Sequence, residues 1–376
     1  MSQDLFKDIR PYFSEEVPPA IERMVTDTHF KAAMDYLFPK EEHQQVYEGL
    51  KLVKNSYEFQ EFFMYKVINR ILELSSDGFS ISGNENLINN GPSVLIGNHR
   101  DILLDSAMLQ TVLVDLLKQT SEITFGSNLM FNDFIVDFGK VNRMFTVYRE
   151  GSPRELLEKS KRLSAYIYHN IQDKKVSSWI AQRKGRTKDG LDKTDTGVLK
   201  MLTMFDRKNP VEAFLQINLL PVSVSYEWEP CGFSKVREVY LSSKQKYIKQ
   251  PGEDFNSVIY GITKPKGKIH MAFTKPVNQF IEENKESLTK QNVHQEVAKF
   301  IDKQIYLNYK LNPNNYLAHD LLNNKETFAA HYSEETKAQM NQKLEDLFEF
   351  LGDKSNELRS MYLTMYANPL IQKLNC

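Results

Sequence analysis

Apolar positions recur at helical spacing through residues 15–76, the pattern of helices that each turn one face to a core. Pro39 and the polar stretch KEEHQQ after it predict the clearest break in this region. Residues 57–74, YEFQEFFMYKVINRILEL, predict one long amphipathic helix that SSDG ends. The pattern then changes. PSVLIGNHR (92–100) reads as a short apolar strand running into a polar loop. DILLDSAMLQTVLVDLLK (101–118) reads as a helix, with Asp101 placed to cap its start. Further strands are predicted at EITFG (122–126), FTVYR (145–149), SSWIA (177–181), INLLPVSVSYEW (217–228) and KIHMAFT (268–274). Helices are predicted from Ser152 and near 196–205. Strands alternating with helices predict an α/β fold: a mainly parallel sheet flanked by helices, with functional loops at the carboxyl ends of the strands. From 277 the chain reads as helical again, and Ser333 with Glu335 opens SEETKAQMNQKLEDLFEFL as a helix start. The expected organisation is an N-terminal helical region (1–80), an α/β core (81–276) and a helical C-terminal extension (277–376).

Composition narrows the function classes. A formal net charge of −1 over 376 residues argues against a polybasic nucleic-acid binder. Cys231 and Cys376, far apart, make neither a disulfide framework nor a metal site, and point to a reducing compartment. The start MSQDLFKDIRPYF lacks the pattern of a signal peptide. No apolar run approaches the roughly 20 residues that a spanning helix needs. A cytoplasmic protein is expected, with any membrane contact peripheral and on the inner face. No metal or redox cofactor is implied.

The candidate chemistry lies at Asn98-His99, where an apolar strand gives way to a helix carrying acids. A carboxylate on that helix can take one ring nitrogen of His99 and fix its tautomer. The other nitrogen is then free to accept a proton from a hydroxyl. A capping or buried structural histidine is the competing reading, and spacing alone favours it. HRD (99–101) and DFG (137–139) are protein-kinase signatures, but position 106 is Ser106 where a kinase needs asparagine. No G-x-G-x-x-G loop precedes them and no APE follows. DFG is expected to be a turn after an apolar helix.

GNHRDILLD resembles the first block of the glycerol-3-phosphate / 1-acylglycerol-3-phosphate acyltransferase family, a histidine followed by four residues and an aspartate. Its HR is particularly like the glycerol-3-phosphate branch. Here five residues separate His99 from Asp105, and Asp101 also stands close. Asp105 is favoured as the orienting acid, with Asp101 the alternative or only an N-cap. FTVYR resembles the second block, which ends in an arginine, here Arg149; the family's glycine six residues earlier is Arg143. RKGRTKDG (183–190) resembles the third block, Glu-Gly-x-Arg-Ser/Thr, in which Arg186 and Thr187 match. The glutamate's place holds Arg183, or Lys184 in a register one residue shorter. LLPVSVSYEW (219–228) resembles the fourth block, whose proline helps wall the acyl pocket. The likeness covers roughly residues 92–230.

The resemblance implies an O-acyltransferase. It would move a fatty acyl group from acyl-CoA or acyl-carrier protein to a hydroxyl of glycerol-3-phosphate, a lysophospholipid or a similar lipid precursor. His99 would be the general base, with Asp105 or Asp101 beside it. Arg149, Arg183, Gly185, Arg186 and Thr187 would hold the acidic head group. Local charge agrees: residues 140–200 carry fifteen Lys or Arg against seven Asp or Glu, an excess of +8. Lys159–Arg162 and Lys174–Lys175 read rather as solvated faces. The missing glutamate keeps open a lipid-binding or scaffold protein on the same fold. Residues 360–374, SMYLTMYANPLIQKL, suit either a membrane surface or packing inside the fold.

Overall fold

The structure, a computed structural model, describes residues 4–250 and 252–376. Among the described residues seven strands form one sheet: β1 (Phe79–Ser82), β2 (Val94–Gly97), β3 (Glu122–Gly126), β4 (Met144–Val147), β5 (Ser178–Ala181), β6 (Leu219–Tyr226) and β7 (Ile269–Phe273). Their order is β1-β7-β6-β2-β5-β3-β4. Every neighbouring pair is parallel except β6–β7. β2 and β6 are buried along their whole length, which is why both read as largely apolar runs, with Ser223 and Ser225 the polar residues of β6. β1 escaped the sequence reading because FSIS is short and half-exposed at the sheet edge.

Helices cover both faces. On one, the N-terminal helices and helix Leu104–Leu117 pack against Leu95, Trp179, Leu220 and Val222. On the other, helices Pro153–Gln172, Pro210–Ile217 and Val293–Asn308 pack against Val94, Ile96, Phe145 and Leu219. The C-terminal helices build a third cluster around Leu344, Leu358, Tyr362 and Tyr366. At the far edge the backbone of Ile9 accepts from the amide of Thr146 in β4 at 2.9 Å. The Lys140 ammonium holds the carbonyls of Ile9 and Arg10.

Several expectations change. The polar stretch after Pro39 is not a break but the start of helix Lys40–Leu52. Pro39 sits at its N-cap, Glu41 and Glu42 face the positive end of the helix dipole, and Val46 and Leu50 are buried. The long helix spans 56–75, with a π-helical turn at Gln60–Met64 where Gln60 reaches the carbonyl of Asn142. DFG is no turn: it lies inside helix Asp133–Val141, which Asn132 caps. There Asp137 accepts from Arg23 and Tyr12. Ser333 caps helix Glu334–Leu351 with Thr336, not Glu335, as its reciprocal partner. Residues 360–374 belong to helix Asn356–Leu374, with Tyr362, Leu363, Met365 and Leu370 buried. Among the described residues no helix is long and apolar enough to cross a membrane.

Arg143 explains the position where the resemblance leads one to expect glycine. Its φ is 61°, in the left-handed region, at the turn into β4. That conformation costs a residue with a side chain about 1–2 kcal/mol. Two hydrogen bonds from its guanidinium to Thr120, at 2.8 and 3.1 Å, offset this.

Candidate active site

The site begins where β2 ends. The Asn98 side chain donates to the carbonyl of Val224 at 2.9 Å and accepts from its amide at 2.7 Å. It thereby replaces one rung of the β2–β6 ladder and lets the main chain turn away. The next residue, His99, is pinned by its carbonyl, which accepts from the amide of Thr187 at 2.8 Å.

His99 Nδ1 lies 3.0 Å from Asp105 Oδ2. The same oxygen accepts from the amides of Arg100, at 2.6 Å, and Asp101, at 2.9 Å. The other oxygen, Oδ1, accepts from the Tyr226 hydroxyl at 2.8 Å. A carboxylate with four donors is held in place as the acceptor of each. It therefore requires the proton on Nδ1, which leaves Nε2 as the basic atom of the ring. Nε2 has no partner among the described residues. Trp179 packs edge-on to the imidazole, 5.7 Å between centroids.

The five-residue spacing is accommodated because the helix starts at Leu104, not at 101. Residues 100–103 wrap round the Asp105 carboxylate first. Asp101 serves this turn: its Oδ1 accepts from the amides of Leu103 and Leu104 at 2.9 and 2.8 Å. Its side chain is not hydrogen-bonded to His99. Burial and the nearby charge of Asp105 push its carboxyl above the usual range. Gly261 makes room for it; a Cβ there would stand 2.2 Å from Asp101 Oδ2.

Arg100 turns the opposite way from His99. It is fully buried, donating to Asp192 at 2.5 Å and to Glu229 at 3.0 Å. Lys235 joins Glu229 and caps the Arg100 carbonyl. Burial opposes the Arg100 charge, but the two carboxylates outweigh it and raise the guanidinium further. Two cations facing two anions balance this network, and it anchors the loop on both sides of His99. Asp192 also accepts from Asn98 and Thr187.

His99 lines a cavity of about 620 Å³. Its wall has two characters. Phe125, Phe134, Phe138, Met144, Trp179 and Met201 make an apolar part. Arg149, Arg183, Lys184 and Arg186 make a cationic part, and none of them has an acidic partner within ion-pair distance among the described residues. Lys188 and Lys249, also in the wall, are paired with Glu238 and Asp254. Arg186 donates to Ser257, and its Nη1 is buried without a partner. Burial lowers Arg149 from its ordinary value. Gly185 lines the cavity with φ of 81°, the left-handed turn that lets Lys184 and Arg186 diverge.

The structure thus brings His99, Arg149, Arg183, Gly185 and Arg186 to one cavity. Thr187 is the correction. It is buried, its hydroxyl donates to Asp192 at 2.7 Å, and it does not line the cavity. The matching threonine braces the His99 loop instead of meeting a ligand. Sequence reasoning missed Tyr226 and the buried role of Arg100. Tyr226 sits in a plain apolar strand, and its only hint was a polar tip at the strand's carboxyl end.

The arrangement defines an α/β protein with a carboxylate-oriented histidine over an apolar and cationic cavity. No protein-family model matches the sequence, and no match appears among curated proteins. Among solved structures the chain is similar to the 1-acyl-sn-glycerophosphate (LPA) acyltransferase PlsC from Thermotoga maritima, with 12% identity and a TM-score of 0.37, over 78% of this chain and 93% of that one.

Proposed function

We propose that the protein is an O-acyltransferase that moves a fatty acyl group from an acyl thioester to a hydroxyl of a phosphorylated or otherwise anionic lipid precursor. One observation carries this reading. The unpartnered Nε2 of a histidine whose other nitrogen is on Asp105 belongs to a largely apolar cavity with a cationic part. The apolar part suits an acyl chain, and the unpaired cations suit a phosphate. In the proposed step Nε2 takes the proton of the acceptor hydroxyl as its oxygen attacks the thioester carbonyl. The tetrahedral oxyanion then collapses and expels the thiolate, which takes the proton back from His99. Asp105 stabilises the imidazolium between the two events. No covalent enzyme intermediate forms.

The donor is acyl-CoA or acyl-carrier protein, and the acceptor is glycerol-3-phosphate, a lysophospholipid or a related hydroxylated lipid. The product partitions into lipid, so the protein works as a peripheral partner of the cytoplasmic membrane face. Phe131 and Ile259, exposed while lining the cavity, suit that contact. The test is release of free thiol from acyl-CoA and acyl-carrier protein with glycerol-3-phosphate or lysophosphatidate present, with products read by mass spectrometry. Acceptor-dependent release that vanishes in His99→Ala supports the proposal. Tight lipid binding with no release from either donor overturns it in favour of a lipid-binding scaffold.

A further inference from the structure

We infer that Tyr226 is a positioning residue for this transfer, its hydroxyl acting on His99 through Asp105. The inference rests on the reading of His99 as the base. Tyr226 is the last residue of β6, and its hydroxyl lies 2.8 Å from Asp105 Oδ1. Both side chains are buried, each residue 1% exposed. The two carboxylate oxygens are served unequally. Oδ2 has three donors, the His99 ring and the amides of Arg100 and Asp101. Oδ1 has Tyr226 alone among the described residues.

Two consequences follow from that asymmetry. The phenol fixes rotation of the carboxylate about its Cβ–Cγ bond, and with it the direction from which the imidazole is held. It also draws charge away from the oxygen pair. Without it the carboxylate becomes more basic and holds protonated His99 more strongly. Burial and the Asp105 charge raise Tyr226 well above the usual phenol range, so it stays a donor across the working pH range. Other groups face the pair. Asp101 adds negative charge from the connecting turn, and Arg186 opposes it from the loop after β5. Lys266 and Cys231, both buried, feel the Asp101 charge. Glu229, one layer back, faces Tyr226 and is balanced by Arg100 and Lys235. None of them donates a hydrogen bond to Asp105 Oδ1, which among the described residues accepts from Tyr226 alone.

The experiment compares wild type with Tyr226→Phe, which removes one oxygen and keeps the ring. The His99 imidazole is followed by NMR through a pH titration, its signal assigned by its loss in His99→Ala. Thiol release is measured over the same range. The expected result is a rise of the His99 midpoint by about half a unit or more, a matching displacement of the acidic limb of the rate profile to higher pH, and about a tenfold fall in plateau kcat with acceptor KM within about twofold. Placing 3-fluorotyrosine, a stronger donor, at position 226 is expected to move the midpoint the other way, and this decides the matter should the Phe variant misfold. A phenol that merely fills space leaves the His99 titration where it was in both variants, and that overturns the inference. So does a shifted midpoint with unchanged kcat. Absence of thiol release from wild type sinks the transferase reading separately, while the titration still decides whether Tyr226 acts on His99.

Discussion

Asp105 Oδ2 stands 3.0 Å from His99 Nδ1 although five residues lie between them. The intervening turn is closed by the acid itself, which accepts the amides of Arg100 and Asp101 with the oxygen that also faces the ring. The carboxylate is therefore both the organiser of the loop and the partner of the histidine.

Replacing His99 with alanine is expected to leave the protein folded, because the ring makes one side-chain hydrogen bond while the loop is held by Asn98, Arg100 and Thr187. Thiol release should fall on the order of 10²–10⁴-fold. A folded His99→Ala variant, shown by an unchanged melting profile, that still releases thiol at near the wild-type rate removes His99 from the mechanism.

The two acids are expected to separate cleanly. Asp105→Asn should lower turnover strongly, since an amide cannot stabilise the imidazolium. Asp101→Asn keeps an acceptor for the amides of Leu103 and Leu104 and should cost less activity. Asp101→Ala, which loses that acceptor, should cost about 0.5–2 kcal/mol of stability in chemical denaturation. If Asp101→Asn is the crippled variant and Asp105→Asn is not, the partner of His99 has been assigned wrongly.

The loop Arg183-Lys184-Gly185-Arg186 presents cations to the cavity where the resemblance leads one to expect an acid. Lys184→Glu changes the loop by two charge units at an exposed position that touches neither Asp105 nor His99. It is expected to alter acceptor KM or acceptor choice more than kcat, as loss of uniform binding does. Steady-state kinetics check this. Turnover that appears only in the variant would show that the native loop belongs to an inactive relative.

Lys266 gives a stability test away from the site. It is 1% exposed and donates to Ser75 and to the carbonyl of Lys264, with no acid in ion-pair range among the described residues. Burial lowers it from 10.5 to about 8. Between those values the unfolded chain binds the proton and the folded chain does not, so this group makes stability rise with pH. Below about 8 both states are protonated and the burial penalty is present in full. Denaturation midpoints measured at pH 8 and pH 10 should therefore favour wild type over Lys266→Met progressively as pH rises. A constant gap between the two proteins would count against a depressed Lys266.

The parallel sheet was legible because β2, β5 and β6 are short apolar runs bounded by polar loops, the pattern that burial on both faces imposes. Edge strand β1 was not, since half its residues face solvent and FSIS carries little apolar signal. His99 was legible because it follows such a run with acids close behind. What the sequence withheld was direction. Arg100 and Thr187 match residue types that bind anions, yet both point inward to Asp192. Tyr226 gave the opposite difficulty, a polar atom hidden at the end of an apolar strand 121 residues from the acid it serves. Spacing along the chain cannot reveal which side of a loop a side chain takes, because that depends on a neighbour brought in by the fold.

The helix Asn356–Leu374 lies against the back of the cationic loop. Asn368 donates to the carbonyl of Asp189 at 2.7 Å and Gln372 to that of Asp192 at 3.0 Å, while Gly190 is small because the carbonyl of Met365 sits where its Cβ would be. These contacts join residues 179 and 180 positions apart. A ribosome thus makes the loop long before it makes the brace. The sheet's last strand ends at Phe273, so the sheet can be complete before that brace exists. A premature stop near residue 368 is expected to loosen the cationic loop without removing any residue that lines the cavity.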